Sequence, residues 1–185
     1  MEEKLELRMY GLVPYQLSGI QSGIQFGHAK DQYSKDHNTE LYNDWLYNYQ
    51  TYIILDGGTT NTNPTRPGTL NQYAQQIAEM NIPISCFYEP DLGDQLLGIA
   101  FIVDERVFDH KKHPDYDDWY LLNVSYDEAY SKGYDSFGIG ETLLEFAKSD
   151  KDSYEKWVNT LGGYRNLKLR EFLYTNGRHN FKLAN

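Results

Sequence analysis

The sequence predicts an α/β fold in which helices pack on a four-stranded mixed sheet. Four short apolar runs predict the strands, at residues 5–13, 51–55, 82–88 and 96–103. Segments with helical spacing of apolar residues separate the first three runs, which is typical of parallel strands joined by crossover helices. Only an acidic turn separates the last two runs. The fourth strand is therefore expected to run antiparallel to the third or to cross over at an edge.

A glycine-rich helix is expected after the first strand. Pro14 ends the strand, and Ser18 is placed to act as the N-cap of the helix. Glycine then recurs at every fourth position, at Gly19, Gly23 and Gly27, which on a helix forms one bare ridge. Three helical glycines cost about 2–3 kcal/mol relative to alanine. We therefore expect this glycine ridge to make close contact, either with the sheet or with a ligand.

Polar side chains line the neighbouring stripe of the same helix. Gln21, Gln25, His28 and Gln32 fall at positions i, i+4, i+7 and i+11, which places three amides and one imidazole along one face. This stripe is open to two interpretations, a functional surface and a solvated edge.

The remaining elements of the first half follow from local signals. Residues 40–49 are expected to form a short aromatic helix, and residues 69–80 a helix capped by Thr69. The stretch between them contains a strand and then residues 56–68, which include every type of turn-forming residue. This stretch is either a long loop that lines a functional cleft or a plain flexible loop.

The chain changes character after residue 104. Residues 105–185 are expected to form a mostly helical C-terminal extension packed on the same core, with helices at 140–148, 153–161 and 166–174. The segment 164–182 is the one clearly basic run. It is expected either to contact an RNA backbone or an acidic partner, or to pack on the sheet as an amphipathic helix.

Composition limits the classes of function. A net charge of −10 argues against nonspecific coating of nucleic acid, because neutralising phosphates needs clustered Lys and Arg. The single cysteine, Cys86, excludes an internal disulfide and lies in an apolar run, where a buried inert thiol is expected. The charged N-terminus and the absence of a long apolar run predict a soluble cytoplasmic protein with no membrane partner. We expect no cofactor and no metal.

The order of these elements and several motifs resemble the type II peptidyl-tRNA hydrolases over residues 5–103. The stretches LVPYQLSGIQSGIQFGHA, TYIILDGG and NIPISCFYEPDLGDQLLGIAFIV carry the resemblance. Gln25, His28 and Ala29 stand where that family has its Gln-x-x-His-Ala motif, and Asp91 stands for the aspartate of its Asp-Ala-Gly turn. The resemblance implies the fold of that family and hydrolysis of the ester that joins a peptide, or a related acyl group, to tRNA.

This sequence departs from the family at other motif positions. The family's motif lysines fall on Gly19 and Gln21, and its turn threonine falls on Gln95, which follows Asp94. In the family, those lysines and that threonine are thought to handle the tRNA and the ester.

The residues themselves define a candidate site. If the glycine-rich helix and the acidic turn meet at one end of the sheet, His28 and Asp91 form a catalytic base–orienter pair that acts on water. Gln25 or Gln95 then hydrogen-bonds the carbonyl as charge develops on it. The alternative is that His28 packs beside the sheet and Asp91 caps a turn. The substrate-binding residues expected around the pair are Gln21, Gly23, Gln25, Gly27, Asp94 and Gln95.

Two other functions remain open at this point. The first is a catalytically inactive binding protein on the same scaffold, phage-encoded, that sequesters a nucleotide or antagonises a host protein; a homodimer is compatible with it. The second is a metal-dependent hydrolase built on His110, His113 and nearby aspartates, although Pro114 interrupts any helix that would align them. For that stretch, a charged solvated loop is the default expectation.

Overall fold

The computed structural model describes residues 4–131 and 143–184. The chain divides into two compact units, one formed by Met1–Glu105 with Glu171–Asn185 and the other by Arg106–Arg170. Within the described residues, the first part of the chain contains β1 (Leu7–Val13), α1 (Gly19–Asp36), α2 (Glu40–Asn48), β2 (Thr51–Asp56), α3 (Thr69–Glu79), β3 (Ile84–Glu89), a 3-10 turn (Pro90–Leu92) and β4 (Gln95–Asp104).

The second part of the chain is mostly helical. Of the helix predicted at 140–148, residues 140–142 lie outside the described residues. The elements of this part are α4 (Glu105–Phe108), α5 (Tyr116–Asn123), α6 (Tyr126–Ser131), α7 (Leu143–Ala147), α8 (Lys151–Thr160), α9 (Tyr164–Leu173), β5 (Tyr174–Thr175) and β6 (Arg178–His179). None of the helices in the described ranges has both the length and the apolar character needed to cross a bilayer.

The sheet of the first unit is mixed and has the strand order β2-β1-β4-β3. β1 and β2 are parallel, and β4 runs antiparallel to both β1 and β3. This confirms the predicted four-stranded mixed α/β sheet and selects the antiparallel arrangement of the last pair over a crossover at an edge. Because β1 and β3 are both antiparallel to β4, they are parallel to each other. The carboxyl ends of β1, β2 and β3 therefore meet at one edge of the sheet.

Helix α1 packs on the sheet through a stripe that includes Phe26 and Ala29, both buried. Two strand glycines make room for it. A Cβ on Gly11 of β1 would lie 2.1 Å from the Phe26 ring, and a Cβ on Gly98 of β4 would lie 2.7 Å from the backbone oxygen of Gln25. The close approach between helix and sheet thus depends on glycines of the strands.

The glycine ridge of α1 points away from the sheet, so the expectation of tight helix-on-sheet packing along it is wrong. Gly19 and Gly23 are exposed, and an added Cβ at Gly23 or Gly27 would meet, within 4 Å, no atom of the described residues outside the adjacent turns of α1. The physical reason is helical geometry. The stripe that contains Phe26 is buried, which turns the ridge toward solvent. Space for a ligand or partner remains along it.

Replacing Gly23 or Gly27 by alanine is expected to stabilise the protein by about 1 kcal/mol each, because alanine is the better helix former and meets no obstacle. Urea unfolding of each variant measures this change in the free energy of unfolding. A loss of stability in either variant would show that the ridge is packed against something. Leu41→Ala, at an exposed position of α2, controls for the general effect of a surface substitution.

The C-terminal residues of the first unit complete its sheet edge. Asp56 N donates to Lys182 O (2.8 Å), and Ala184 N donates to Ile54 O (3.0 Å). Leu183 forms an antiparallel bridge with Leu55 of β2. The outer edge of β2 is therefore covered by the chain's own C-terminal segment.

A hairpin that was not predicted precedes this segment. β5 and β6 pair across Asn176 and Gly177, which both adopt left-handed conformations, with φ of 49° and 70°. The Asn-Gly pair is the standard signal for a two-residue hairpin turn. The hairpin is tied to the sheet by a hydrogen bond between the hydroxyls of Tyr174 and the fully buried Tyr10.

The second unit has its own small core of aromatic and aliphatic side chains. Tyr120 of α5 donates its hydroxyl to Asp150 Oδ2 (3.1 Å), and Asp150 in turn caps α8 by accepting from Ser153 N (3.1 Å). Trp157 of α8 donates its indole N–H to Pro114 O (3.0 Å). The buried polar groups of this unit thus serve to join its short helices.

Candidate functional site

The loops that follow β1, β2 and β3 surround the edge where these strands end. In open α/β sheets, ligands bind outside the carboxyl ends of parallel strands. The loop at 57–68 is tied to its neighbours, because Tyr15 N donates to Gly58 O (2.9 Å) and Thr60 Oγ1 lies 3.5 Å from Gln95 Oε1. We call this region, formed by residues 14–28, 57–68 and 87–95, the carboxyl edge.

Thr69 does not cap α3 as predicted. Gly68 is the N-cap and provides no side-chain hydrogen bond. The Thr69 hydroxyl instead donates to Gly57 O (3.0 Å) and accepts from Thr59 N (2.8 Å). Threonine side chains readily bond nearby backbone groups in turns, and here this bond fastens the long loop to the start of α3.

Helix α1 and the acidic turn meet at the carboxyl edge, as the candidate site requires. Gln25 Nε2 donates to Glu89 Oε2 at 3.3 Å. Gln25 Oε1 is buried and, within the part of the chain that the structure describes, has no hydrogen-bond partner. This amide is therefore oriented by Glu89 and keeps one acceptor unused.

His28 and Asp91 are not joined as a catalytic pair. The imidazole of His28 is exposed and stacks on the ring of Phe87, with ring centroids 4.6 Å apart and planes at 24°. Asp91 lies in the 3-10 turn and is also exposed. In residues 4–131 and 143–184, neither side chain makes a hydrogen bond or an ion pair. A base and its orienting carboxylate need a separation of about 2.6–3.2 Å.

Other members of the polar stripe serve the helix itself. Gln21 completes a capping box with Ser18, whose backbone N–H donates to Gln21 Oε1 at 3.0 Å. This bears out Ser18 as the N-cap and engages the amide oxygen of Gln21. Gln32 Nε2 donates to Asp36 Oδ1 (2.8 Å), and Asp36 also accepts from Ser85 Oγ (2.7 Å).

The end of the acidic turn is held in a left-handed conformation. Gly93 and Asp94 have φ of 66° and 56°, and Asp94 N donates to Glu89 O at 3.1 Å. This geometry leaves the Asp94 side chain exposed. Asp94 and Asp91 thus present carboxylates to solvent beside the start of β4.

Apolar side chains that sequence reasoning missed lie exposed on the same unit. Ile20 and Ile24 of α1 are 80% and 52% exposed, and Leu92 at the tip of the acidic turn is 58% exposed. The sequence contains a signal for this exposed apolar surface, because two isoleucines four residues apart lie outside the buried stripe of α1. Tyr15, just after β1, and Tyr88, near the end of β3, are exposed as well. Exposed apolar side chains in a group mark interaction surfaces.

Cys86 of β3 is not a nucleophile candidate. Burial raises the pKa of its thiol to about 11, so the thiol is protonated at neutral pH. This agrees with the inert thiol expected from the sequence.

The metal interpretation of the His110 region is not supported. Arg170 is only 3% exposed. Its Nε donates to Asp115 Oδ1 (3.1 Å), and its Nη2 donates to His110 Nδ1 and to the carbonyl oxygen of His113 (both 2.7 Å). Among the described residues, no group of three or more His, Cys, Asp or Glu side chains has the arrangement to hold a metal. The guanidinium instead engages the side chains of His110 and Asp115, so this stretch is an ordered structural loop.

The second unit is expected to lose stability as the pH falls through about 6.5. Burial, and then the charge of Arg170, lower the pKa of His110, so the native ring stays neutral while Nδ1 accepts from the guanidinium. The unfolded chain binds a proton below that pH, which favours unfolding. Thermal unfolding between about pH 7.5 and 5.5 measures the effect. His110→Gln should lose less stability over this range than the wild type, and an equal loss would contradict the prediction.

Comparisons with known proteins add no assignment. No protein-family model matches the chain, and no curated protein matches it. The function therefore has to be argued from the geometry of the carboxyl edge.

Proposed function

We propose that this protein is a binding protein that presents its carboxyl edge to a protein partner. The observation that carries the proposal is the contact of His28, whose ring stacks on Phe87 and, among the described residues, is bonded to no carboxylate. A histidine base needs an orienting partner to hold its tautomer and direction. A stacked, exposed imidazole is suited to contact instead.

The groups around His28 support the same proposal. Gln21 is held in the capping box and Gln25 is oriented by Glu89, so the two amides act within the fold. Gly23 and Gly27 leave open space along α1, and Ile20 and Ile24 expose apolar surface there. An open helix face with isoleucines and small residues allows the backbone of a partner to approach closely.

The charge of the carboxyl edge favours a protein partner over tRNA. Asp91 and Asp94 are exposed, and Glu89 accepts a hydrogen bond from Gln25. Recognition of a nucleic acid backbone needs clustered Lys and Arg, whereas the family's motif lysines are replaced here by Gly19 and Gln21. The partner's contacting segment should therefore carry apolar side chains and positive charge.

A turnover experiment separates this proposal from hydrolysis of peptidyl-tRNA. Wild type and His28→Ala are incubated in excess with a blocked aminoacyl-tRNA, and release of the acyl group is measured. The expected result is no release by either protein, with both equally folded by circular dichroism. Release by the wild type that is lost in His28→Ala would overturn the proposal and establish the hydrolase.

A capture experiment tests the binding surface itself. The wild type and the double variant Ile20→Asp/Ile24→Asp are used as bait in a lysate of the source cells. The wild type should retain a defined protein in stoichiometric amount, and the double variant should lose it. Tyr47→Asp is the matched control, because Tyr47 on α2 is 79% exposed and lies outside the carboxyl edge. Equal retention by the double variant would exclude the α1 face.

A further inference from the structure

A second site is indicated in the unit formed by residues 106–170, apart from the carboxyl edge. An open cavity of about 420 Å³ lies between α5, the end of α7 and the start of α8. Tyr116, Tyr154 and Ala147 line it with apolar surface, and Lys148 and Lys151 line it with positive charge. Cavities of roughly 300–1,000 Å³ with mostly apolar walls and a few polar groups are typical of small-ligand sites.

The two tyrosine rings that line this cavity are held in place by contacts with neighbouring groups. The rings of Tyr116 and Tyr154 meet edge to face with centroids 5.1 Å apart, and each lies 5.4 Å from the ring of Trp157. The Tyr116 hydroxyl is positioned to donate to the carbonyl oxygens of Ala147 (3.1 Å) and Asp150 (3.2 Å). The two half-buried tyrosines are therefore preorganised, which lowers the entropic cost of stacking a ligand on them.

The acidic side chains that line the cavity already accept hydrogen bonds, whereas its two lysines form no ion pair with the described residues. Asp150 accepts hydrogen bonds from Tyr120 and Ser153, and Glu155 accepts one from the Tyr164 hydroxyl. Lys148 and Lys151 are both exposed, and neither forms an ion pair with any residue in the ranges that the structure describes. The acidic groups of the lining already have donors, whereas both ammonium groups remain available to a ligand.

We propose that this cavity binds a small planar aromatic ring that carries an anionic group, such as a nucleoside monophosphate. The ring stacks against Tyr116 or Tyr154, and the anion lies between Lys148 and Lys151. Stacking on an aromatic side chain accepts any planar base, since every base has a π-face. The lysines then select the phosphorylated or carboxylated compound over its neutral form.

Calorimetric titration of the full-length protein with AMP and UMP tests the site. Adenosine and inorganic phosphate, each titrated alone, separate the contributions of ring and anion. The nucleotides should bind with dissociation constants below about 1 mM, and both single components should bind at least about tenfold more weakly. Raising the salt concentration should weaken nucleotide binding, because the exposed lysines are screened.

Matched variants locate the binding. Lys148→Gln/Lys151→Gln changes two exposed side chains and should reduce AMP affinity about tenfold, whereas Lys156→Gln on the same helix, outside the cavity, should not change it. Tyr154→Leu should reduce AMP affinity about tenfold or more through lost stacking. The proposal is overturned if neither nucleotide binds, or if the double lysine variant binds AMP as the wild type does.

Discussion

Replacing Arg170 by leucine is expected to lower the free energy of unfolding of the second unit by about 1–3 kcal/mol. The guanidinium donates to Asp115, to His110 Nδ1 and to the carbonyl oxygens of Arg106 (2.8 Å) and His113. Leucine fills part of the space but leaves the Asp115 carboxylate and the carbonyl oxygens without their donor. Losing the donor is costly for the acceptors that stay desolvated, whereas the Asp115 side chain is 48% exposed and is partly rehydrated.

Urea unfolding with hydrogen exchange resolved to peptides of residues 106–170 measures this loss in the full-length chain. Lys168→Leu is the matched control, because Lys168 is an exposed cation on the same helix. Arg170→Lys should restore little of the stability, since an ammonium cannot direct separate N–H groups at acceptors on several sides. If Arg170→Leu unfolds at the same urea concentration as Lys168→Leu, the guanidinium is not structural.

Replacing Gly98 by alanine is expected to lower the free energy of unfolding of the first unit by about 1–3 kcal/mol or more. The new methyl group would lie 2.7 Å from the backbone oxygen of Gln25 and 3.0 Å from Ala29 Cβ. A backbone oxygen inside a helix cannot rotate away, so α1 as a whole has to move off the sheet. That shift opens gaps around Phe26 and Ala29, which adds the loss of packing contacts.

Urea unfolding of Gly98→Ala beside Gly23→Ala provides the control. Both substitutions add one methyl group, yet the first meets a backbone and the second meets no atom within 4 Å. Opposite signs of the change in stability are therefore expected. Gly11→Ala is the intermediate case, because the nearest atom belongs to the Phe26 ring. A neutral Gly98→Ala would show that α1 does not pack on β4 at this distance.

Part of the candidate site follows from the chain itself. The candidate site depended on the condition that α1 and the acidic turn meet at one end of the sheet, and Gln25 does contact Glu89 there. The roles of the individual side chains did not follow. Whether Gln21 faces a ligand or the helix N-terminus depends on one rotamer, and in the structure its oxygen accepts from Ser18.

Other features were misread because their partners are distant in sequence. For the basic run at 164–182, which includes Arg170, the sequence leaves open a contact surface and an amphipathic helix packed on the sheet. In the structure Arg170 is buried, and its acceptors Asp115 and His110 lie 55 and 60 residues away. No local pattern distinguishes a buried arginine from an exposed one. The hairpin at Asn176-Gly177 is a different case, since its signal is local and was obscured by the helical pattern just before it.

By itself, the sequence determined the four strands, the mixed sheet and the cap at Ser18. These depend on residues that are neighbours in the chain, such as β-branched runs, turn formers and a Ser-x-x-Gln box. Only the tertiary structure decided that the glycine ridge faces outward, that His28 stacks on Phe87, and that Arg170 is buried. The physical reason is that the burial of a side chain depends on which faces of elements distant in sequence pack together. That packing is driven by the removal of apolar area from water over the whole fold.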